Sequence, residues 1–265
     1  MLVRDALGRA LELPGPPKRI VSLVPSLTEA LFAFGAGQRV VGVTHFCLEP
    51  RDGVRPLPKV GGTKTVEVDR VLSLSPDLVI ASAEENRPEH VEAIAEAGVS
   101  VYVTLPTTVP GALHLLSELA RLLDVEEEAR PLLAASEKAL AETRALAAGR
   151  PRPRVFCPIW RDPWMTVGPG TYMHDLIATC GGDNVFADAG ERYPAVELEE
   201  AARRRPEVVL LPSEPYRFRQ RHLSDLQAAG LEDARVHFVD GRLLCWYGPR
   251  IPEALTTVRR LLLGV

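Results

Sequence analysis

Two rhythms of apolar residues alternate along this chain. Short unbroken runs, such as Arg19-Ile20-Val21-Ser22-Leu23, Val40 to Val43 and Leu78 to Ala81, read as strands buried on both faces. Between them, apolar residues recur at helical spacing over Val68 to Leu74, Pro88 to Ala97 and 110–123. Ser26 and Glu29 have capping-box spacing, which starts a further helix at Ser26 and carries it to about Phe34, before Gly35 and Gly37. Val101 to Val103 is another strand, and residues 3–13 form a hairpin turning near Gly8, with Pro14 to Pro17 as a linker. Strands alternating with helices predict a parallel sheet covered on both faces.

The rhythm changes at 125–149. No strand signal occurs there, and Leu132, Leu133, Ala139, Leu140, Thr143, Leu146 and Ala147 line one helical face. Glu126, Glu127 and Glu128 suit the amino end of such a helix, and Arg144 and Arg150 its carboxyl end. Pro131 marks its first turn or kinks it. Alternation then resumes. Strands are predicted over Arg154 to Ile159, Val208 to Leu211 and Val236 to Val239, and helices over 171–180, 197–204, near 220–229 and from Pro252 to Leu262. The fold class that follows is α/β. Two Rossmann-like lobes with mainly parallel sheets, residues 1–124 and 151–265, are joined by a single long α-helix over 125–150, with a ligand cleft between the lobes.

Composition narrows the function more than the fold. The chain has 265 residues and a formal net charge of −4, which gives no basic footprint for nucleic acid. No apolar run of about 18 residues occurs, so no membrane span is expected. The amino terminus, Met-Leu-Val-Arg-Asp-Ala-Leu-Gly-Arg, lacks the basic and apolar regions of a signal peptide, which leaves a cytoplasmic location open. The four cysteines, Cys47, Cys157, Cys180 and Cys245, show no paired metal-site spacing and read as small buried hydrophobes. Phosphate-loop, dinucleotide, nucleophile-elbow and zinc-protease motifs are all missing, which lowers the prior for an enzyme.

Aromatic residues are only 6% of the chain, so their placement carries weight. Trp160, Trp164 and Trp246 follow predicted strands, and Phe46, Tyr193, Tyr216 and Tyr247 sit in loops after or between elements. Ligands of open α/β sheets bind outside the carboxyl ends of the strands, and flat rings there suit a large, flat, partly apolar guest. The alternative is that the rings only cap the sheet ends. Lys64, Glu84, Arg161 and Arg250 lie in the same loops and would orient polar ligand groups; Lys64 would meet an anionic ligand or the Glu84-Glu85 pair across the cleft. His45, close to Cys47, is a candidate metal ligand.

With these runs in view, nearly the whole chain resembles the metal-chelate receptors of ABC importers with a helical backbone, and most of all their cobalamin-binding branch. The likeness rests on Arg19 to Glu29, Val40 to Val43, Ser75 to Ile80, Cys180-Gly181-Gly182-Asp183-Asn184-Val185-Phe186 and Tyr247-Gly248-Pro249-Arg250. It implies a monomeric, non-enzymatic binder without a tightly held cofactor. Its ligand would be a corrinoid or an iron chelate, delivered to an ABC permease dimer, and its location the periplasm or cell surface. Asp69 and Glu199 match the acidic residues that dock on the permease, Tyr193 keeps an aromatic position of the family pocket, and Thr63 and Ser82 stand where two of its tryptophans do. Two other readings stay open: a chelatase-like enzyme that handles metal in a tetrapyrrole, with His45 facing Glu214, and a cytoplasmic carrier or sensor without a transporter.

Overall fold

The computed structural model describes residues 2–265 and divides them into two compact units. The first runs up to Leu105 and takes in Leu113–Ala134; the second comprises Pro106–Ala112 and Ala135–Val265. The chain enters the first unit through an antiparallel hairpin, β1 (Leu2–Arg4) and β2 (Ala10–Glu12), with Gly8 at its turn. Four parallel strands follow: β3 (Ile20–Ser22), β4 (Val40–Val43), β5 (Leu78–Ser82) and β6 (Ser100–Thr104), in the order β4-β3-β5-β6. Their crossovers carry α1 (Pro25–Ala33), α2 (Arg51–Val54), α3 (Val68–Ser73) and α4 (Pro88–Glu96). Val21, Leu23, Val60, Val79, Ile94 and Val101 close into a core on one face of the sheet, and Ile20, Leu78 and Ile80, from the alternate positions, are equally buried, so the unbroken apolar runs do mark strands covered on both faces.

The helix at Ser26 starts one residue earlier than its spacing predicts. Pro25 is the first helical residue and Val24 the amino-terminal cap, with no side-chain cap bond. Proline has a preset φ and no N–H to be capped, so it displaces the Ser26 box. The Ser26 hydroxyl ends up buried without a partner among the described residues.

Two helices carry the chain between the units. In sequence, α5 (Val109–Leu123) begins with residues of the second unit and continues in the first, and α6 (Glu126–Ala147) belongs to the first unit as far as Ala134 and to the second from Ala135. Pro131 lies inside α6, beyond its first turn. No helix among the described residues is long and apolar enough to cross a membrane.

The second unit repeats the plan of the first. Its parallel sheet has β7 (Arg154–Phe156), β10 (Asp183–Asn184), β11 (Val208–Pro212) and β12 (Arg235–Val239) in the order β10-β7-β11-β12. The predicted strand over 154–159 is broken at Cys157. Its second half, β8 (Pro158–Trp160), turns away to pair with β9 (Met165–Thr166) as a hairpin outside the sheet. The Thr166 hydroxyl donates to the Cys157 carbonyl at 2.8 Å and fixes that departure. The helices are α7 (Tyr172–Thr179), α8 (Leu198–Arg203), α9 (Leu223–Ala228, after a 3-10 turn at Gln220–His222), α10 (Gly241–Cys245) and α11 (Ile251–Leu263). α2, the β8–β9 hairpin, β10 and α10 have no counterpart in the sequence reading, because each is too short to show a period.

In each unit the first strand of the sheet sends one connection to one side and the next to the other. The reversal falls between β3 and β5, and between β7 and β11. A crevice opens outside the carboxyl ends of strands at such a point, which is where a ligand is expected.

Candidate functional site

At the carboxyl end of the first sheet, three loops are tied together. The loop after β4 carries His45 and Phe46, both exposed, Phe46 by 58%. Beneath them the Cys47 thiol is wholly buried, 3.1 Å from the Thr28 hydroxyl and 3.2 Å from that of Thr44, and burial pushes its pKa up. Thr28 also reaches the Ser22 hydroxyl at 2.8 Å, so a buried polar cluster anchors this loop to β3 and α1. The His45 amide donates to Gly61, and the Phe46 ring lies against Gly62. The third loop follows β5. Asn86 is buried; its Oδ1 accepts the Ser82 N–H at 2.8 Å, and its Nδ2 donates to the Thr63 carbonyl at 3.0 Å. Lys64 Nζ donates to the Glu84 carbonyl at 2.6 Å. Lys64 therefore engages the main chain of its own unit, not glutamates across a cleft.

The second unit offers rings instead. Trp160, at the end of β8, is 42% exposed and meets Tyr216 edge-on, with centroids 5.7 Å apart. Tyr216 packs on Phe218 at 4.8 Å, and Phe218 stacks on Trp164 at 5.5 Å. This run of rings stands beside the reversal between β7 and β11. It also encloses His222, whose Nδ1 accepts the Arg219 N–H at 3.0 Å. Burial, with Arg221 and Arg161 nearby, pushes the His222 pKa down. Arg161 is held by Asp225 at 3.0 Å and by Asp162 at 2.6 Å, so carboxylates of its own unit already satisfy it.

Trp246 and Tyr247 lie elsewhere than expected. They are 7% and 3% exposed, Tyr247 packed edge-on against Tyr172 and Trp246 beneath the Arg250 guanidinium. They are core residues behind the loops rather than open walls. Trp246 supports Glu214, a carboxylate that sequence reasoning weighed only for the enzyme alternative. Burial raises the Glu214 pKa against the opposing pull of Arg242 and a hydrogen bond with Trp246. Gly241 makes this approach possible: a Cβ there would stand 2.4 Å from the Glu214 amide nitrogen. Tyr193 is half-buried beside Arg192.

Asp69 and Glu199 are exposed second residues of α3 and α8, the helices that precede β5 and β11. They occupy matching places in the two units. Among the described residues, no group of three or more His, Cys, Asp or Glu side chains is gathered for a metal ion, so His45 belongs to no such group. Asn86, Glu214 and the Thr28–Cys47 contact carried no sequence signal beyond their position after strands.

Two α/β units, each with its ordered loops at the carboxyl ends of the strands, define the class: a two-unit binding fold. The chain belongs to the periplasmic binding protein family, which matches residues 20–228. It is 30% identical over 193 residues to the vitamin B12-binding protein of Salmonella typhimurium, covering 73% of this chain and 71% of that one. It is also similar to the periplasmic heme-binding protein RhuT from Roseiflexus sp. RS-1, with 29% identity, a TM-score of 0.78 and coverage of 91% and 96% of the two chains. The vitamin B12-binding protein BtuF of Vibrio cholerae, at 24% identity, shares the fold with a TM-score of 0.82 over 94% and 97% of the chains.

Proposed function

We propose that this chain is the receptor of an ABC importer for a large, flat metal chelate of the corrinoid or iron-tetrapyrrole class, held unaltered and passed to a permease dimer outside the inner membrane. The observation that carries the reading is the Trp160–Tyr216 pair, a partly exposed aromatic surface at the topological switch point of its sheet. A flat apolar guest gains both area burial and ring contact there. Phe46 and Tyr193 add further aromatic surface, and the ordered Lys64, Glu84 and Arg250 give polar contacts. His45 would supply at most one ligand to a metal that arrives already chelated. Trp246 and Tyr247 hold the loops from behind. The named ligands of the similar proteins, vitamin B12 and heme, belong to this chemical class.

Arg161 and Lys64 are held in internal bonds, which leaves them little capacity to pair with ligand carboxylates. This favours a corrinoid, rich in neutral amides, over a ligand whose carboxylates need free cations. Asp69 and Glu199 would meet basic residues of the permease, one from each unit. The test is titration with cobalamin, heme and ferric siderophores, followed by tryptophan fluorescence. Quenching by cobalamin or heme, weakened about tenfold or more in Trp160→Ala, is expected; no quenching by either, or quenching by a siderophore alone, overturns the reading. Asp69→Arg with Glu199→Arg should leave ligand affinity unchanged and abolish uptake in a cell that carries the permease.

A further inference from the structure

The second unit has a basic surface far from the loops just described, at the amino ends of its strands. Three helices finish there together. α6 ends at Ala147, α7 at Thr179 and α11 at Leu263, and a Cβ on Gly181 would touch both Ala147 and Leu263. Helix carboxyl ends need hydrogen-bond donors and attract cations. Three arginines supply them: Arg152 donates to the carbonyls of Ala178 and Gly182 and is paired with Asp183 at 2.6 Å, Arg235 donates to the main-chain oxygen of Leu262, and Arg259 to that of Val265. Arg144, Arg150 and Arg260 remain exposed, with no side-chain partner among the described residues.

Two adjoining grooves lie among these side chains, of about 420 Å³ and about 320 Å³. They share Arg150 and Arg152; Arg144 lines one and Arg235 the other. The single carboxylate lining them, Glu207, already accepts the Arg154 N–H at 2.9 Å. Their remaining walls are largely apolar, with Ala147, Pro151, Pro153, Leu262 and Leu263. Of these, Pro151 is exposed and Leu263 half-buried. The cations go beyond what the helix ends use, and this excess sits in a protein of net charge −4.

We propose that this face docks on an anionic phospholipid surface, with Arg144 and Arg150 around the headgroup phosphate and Pro151 and Leu263 at the level of the glycerol backbone. Charge complementarity selects the phosphate, and the apolar rim selects a bilayer over a free anion. The attraction falls off within a Debye length and is weakened by salt. Docking by the amino ends of the strands turns the ligand-side loops of this unit away from the lipid, so the docked state is distinct from the one that hands ligand to the permease. The proposal does not depend on which chelate is carried.

The test is co-sedimentation of the full chain with vesicles of phosphatidylglycerol in phosphatidylcholine, against phosphatidylcholine alone. Salt-sensitive binding to the anionic vesicles is expected, reduced more than about tenfold in Arg144→Glu/Arg150→Glu. The Arg144→Lys/Arg150→Lys variant should retain most of it, and unchanged thermal melting of both variants separates docking from folding. In parallel, calorimetry with glycerol phosphate and inorganic phosphate reads the free anion. Equal binding to neutral vesicles, no vesicle binding, or binding of soluble phosphate alone would each overturn the proposal. So would anionic-vesicle binding that the double Glu variant keeps while melting normally.

Discussion

The two units share a frame and differ in what they hang on it. In both, an arginine at the start of the first sheet strand reaches across to the turn before the third. Arg19 Nε donates to the carbonyls of Leu74 and Ser75 at 3.2 and 3.0 Å, and Arg154 Nε to those of Arg204 and Arg205 at 2.9 and 3.2 Å. In both, that turn contains a non-glycine residue in the left-handed region, Ser75 at φ 46° and Arg205 at φ 49°. In both, a carboxylate two residues later accepts main-chain N–H groups from the same neighbourhood: Asp77 from Lys18 and Arg19, Glu207 from Arg154. At the other end of the strands the likeness stops. The first unit ties short loops with buried polar side chains, and the second builds a run of rings. A scaffold whose amino ends are fixed can vary its carboxyl-end loops freely, and loops of that kind carry specificity.

Experiments can probe this division one unit at a time, because all the tryptophans lie in the second unit. Tryptophan fluorescence follows that unit, and hydrogen exchange follows the first. The largest effect is expected from Gly241→Val. Its side chain would push the Glu214 main chain, at a cost of about 3 kcal/mol confined to the second unit. Chemical denaturation read by fluorescence should show the loss, while exchange in β3 to β6 stays unchanged; an equal loss in both would mean that the units do not unfold separately. Next comes Asn86→Ala, which leaves the Ser82 N–H and the Thr63 carbonyl without their partner, for about 1–3 kcal/mol. Exchange should rise over 61–65 and 82–86, with the fluorescence transition unmoved.

The shared frame predicts a smaller, matched pair. Arg19→Ala and Arg154→Ala should each cost about 1 kcal/mol, one in each unit, because these bonds are exposed to water. Clearly unequal losses would break the comparison. The smallest effect concerns pH. The His222 pKa is pushed down on folding, so the folded state prefers the neutral ring. Its contribution is complete above the ordinary histidine value and is lost as pH falls through the lowered one. Melting of the second unit between pH 7 and pH 5 should therefore depend less on acidity in His222→Gln, a difference read by fluorescence.

The sequence alone determined which segments alternate as strand and helix, where α6 lies, and that rings gather after strands. These follow from local causes: a run of aliphatics can satisfy its backbone in a two-sided sheet, and a helical period needs only its own residues. Only the tertiary structure decided which rings are open and which are core, since Trp160 and Trp246 look alike in a string and differ in what packs around them. It also decided that Arg161 and Lys64 are engaged, because Asp225 and the Glu84 carbonyl come from distant parts of the chain. The correspondence of Ser75 with Arg205 shows the same limit: the two residues share a backbone conformation and a latch but no chemistry. Pairing across a fold depends on which surfaces meet, and composition and spacing leave that free.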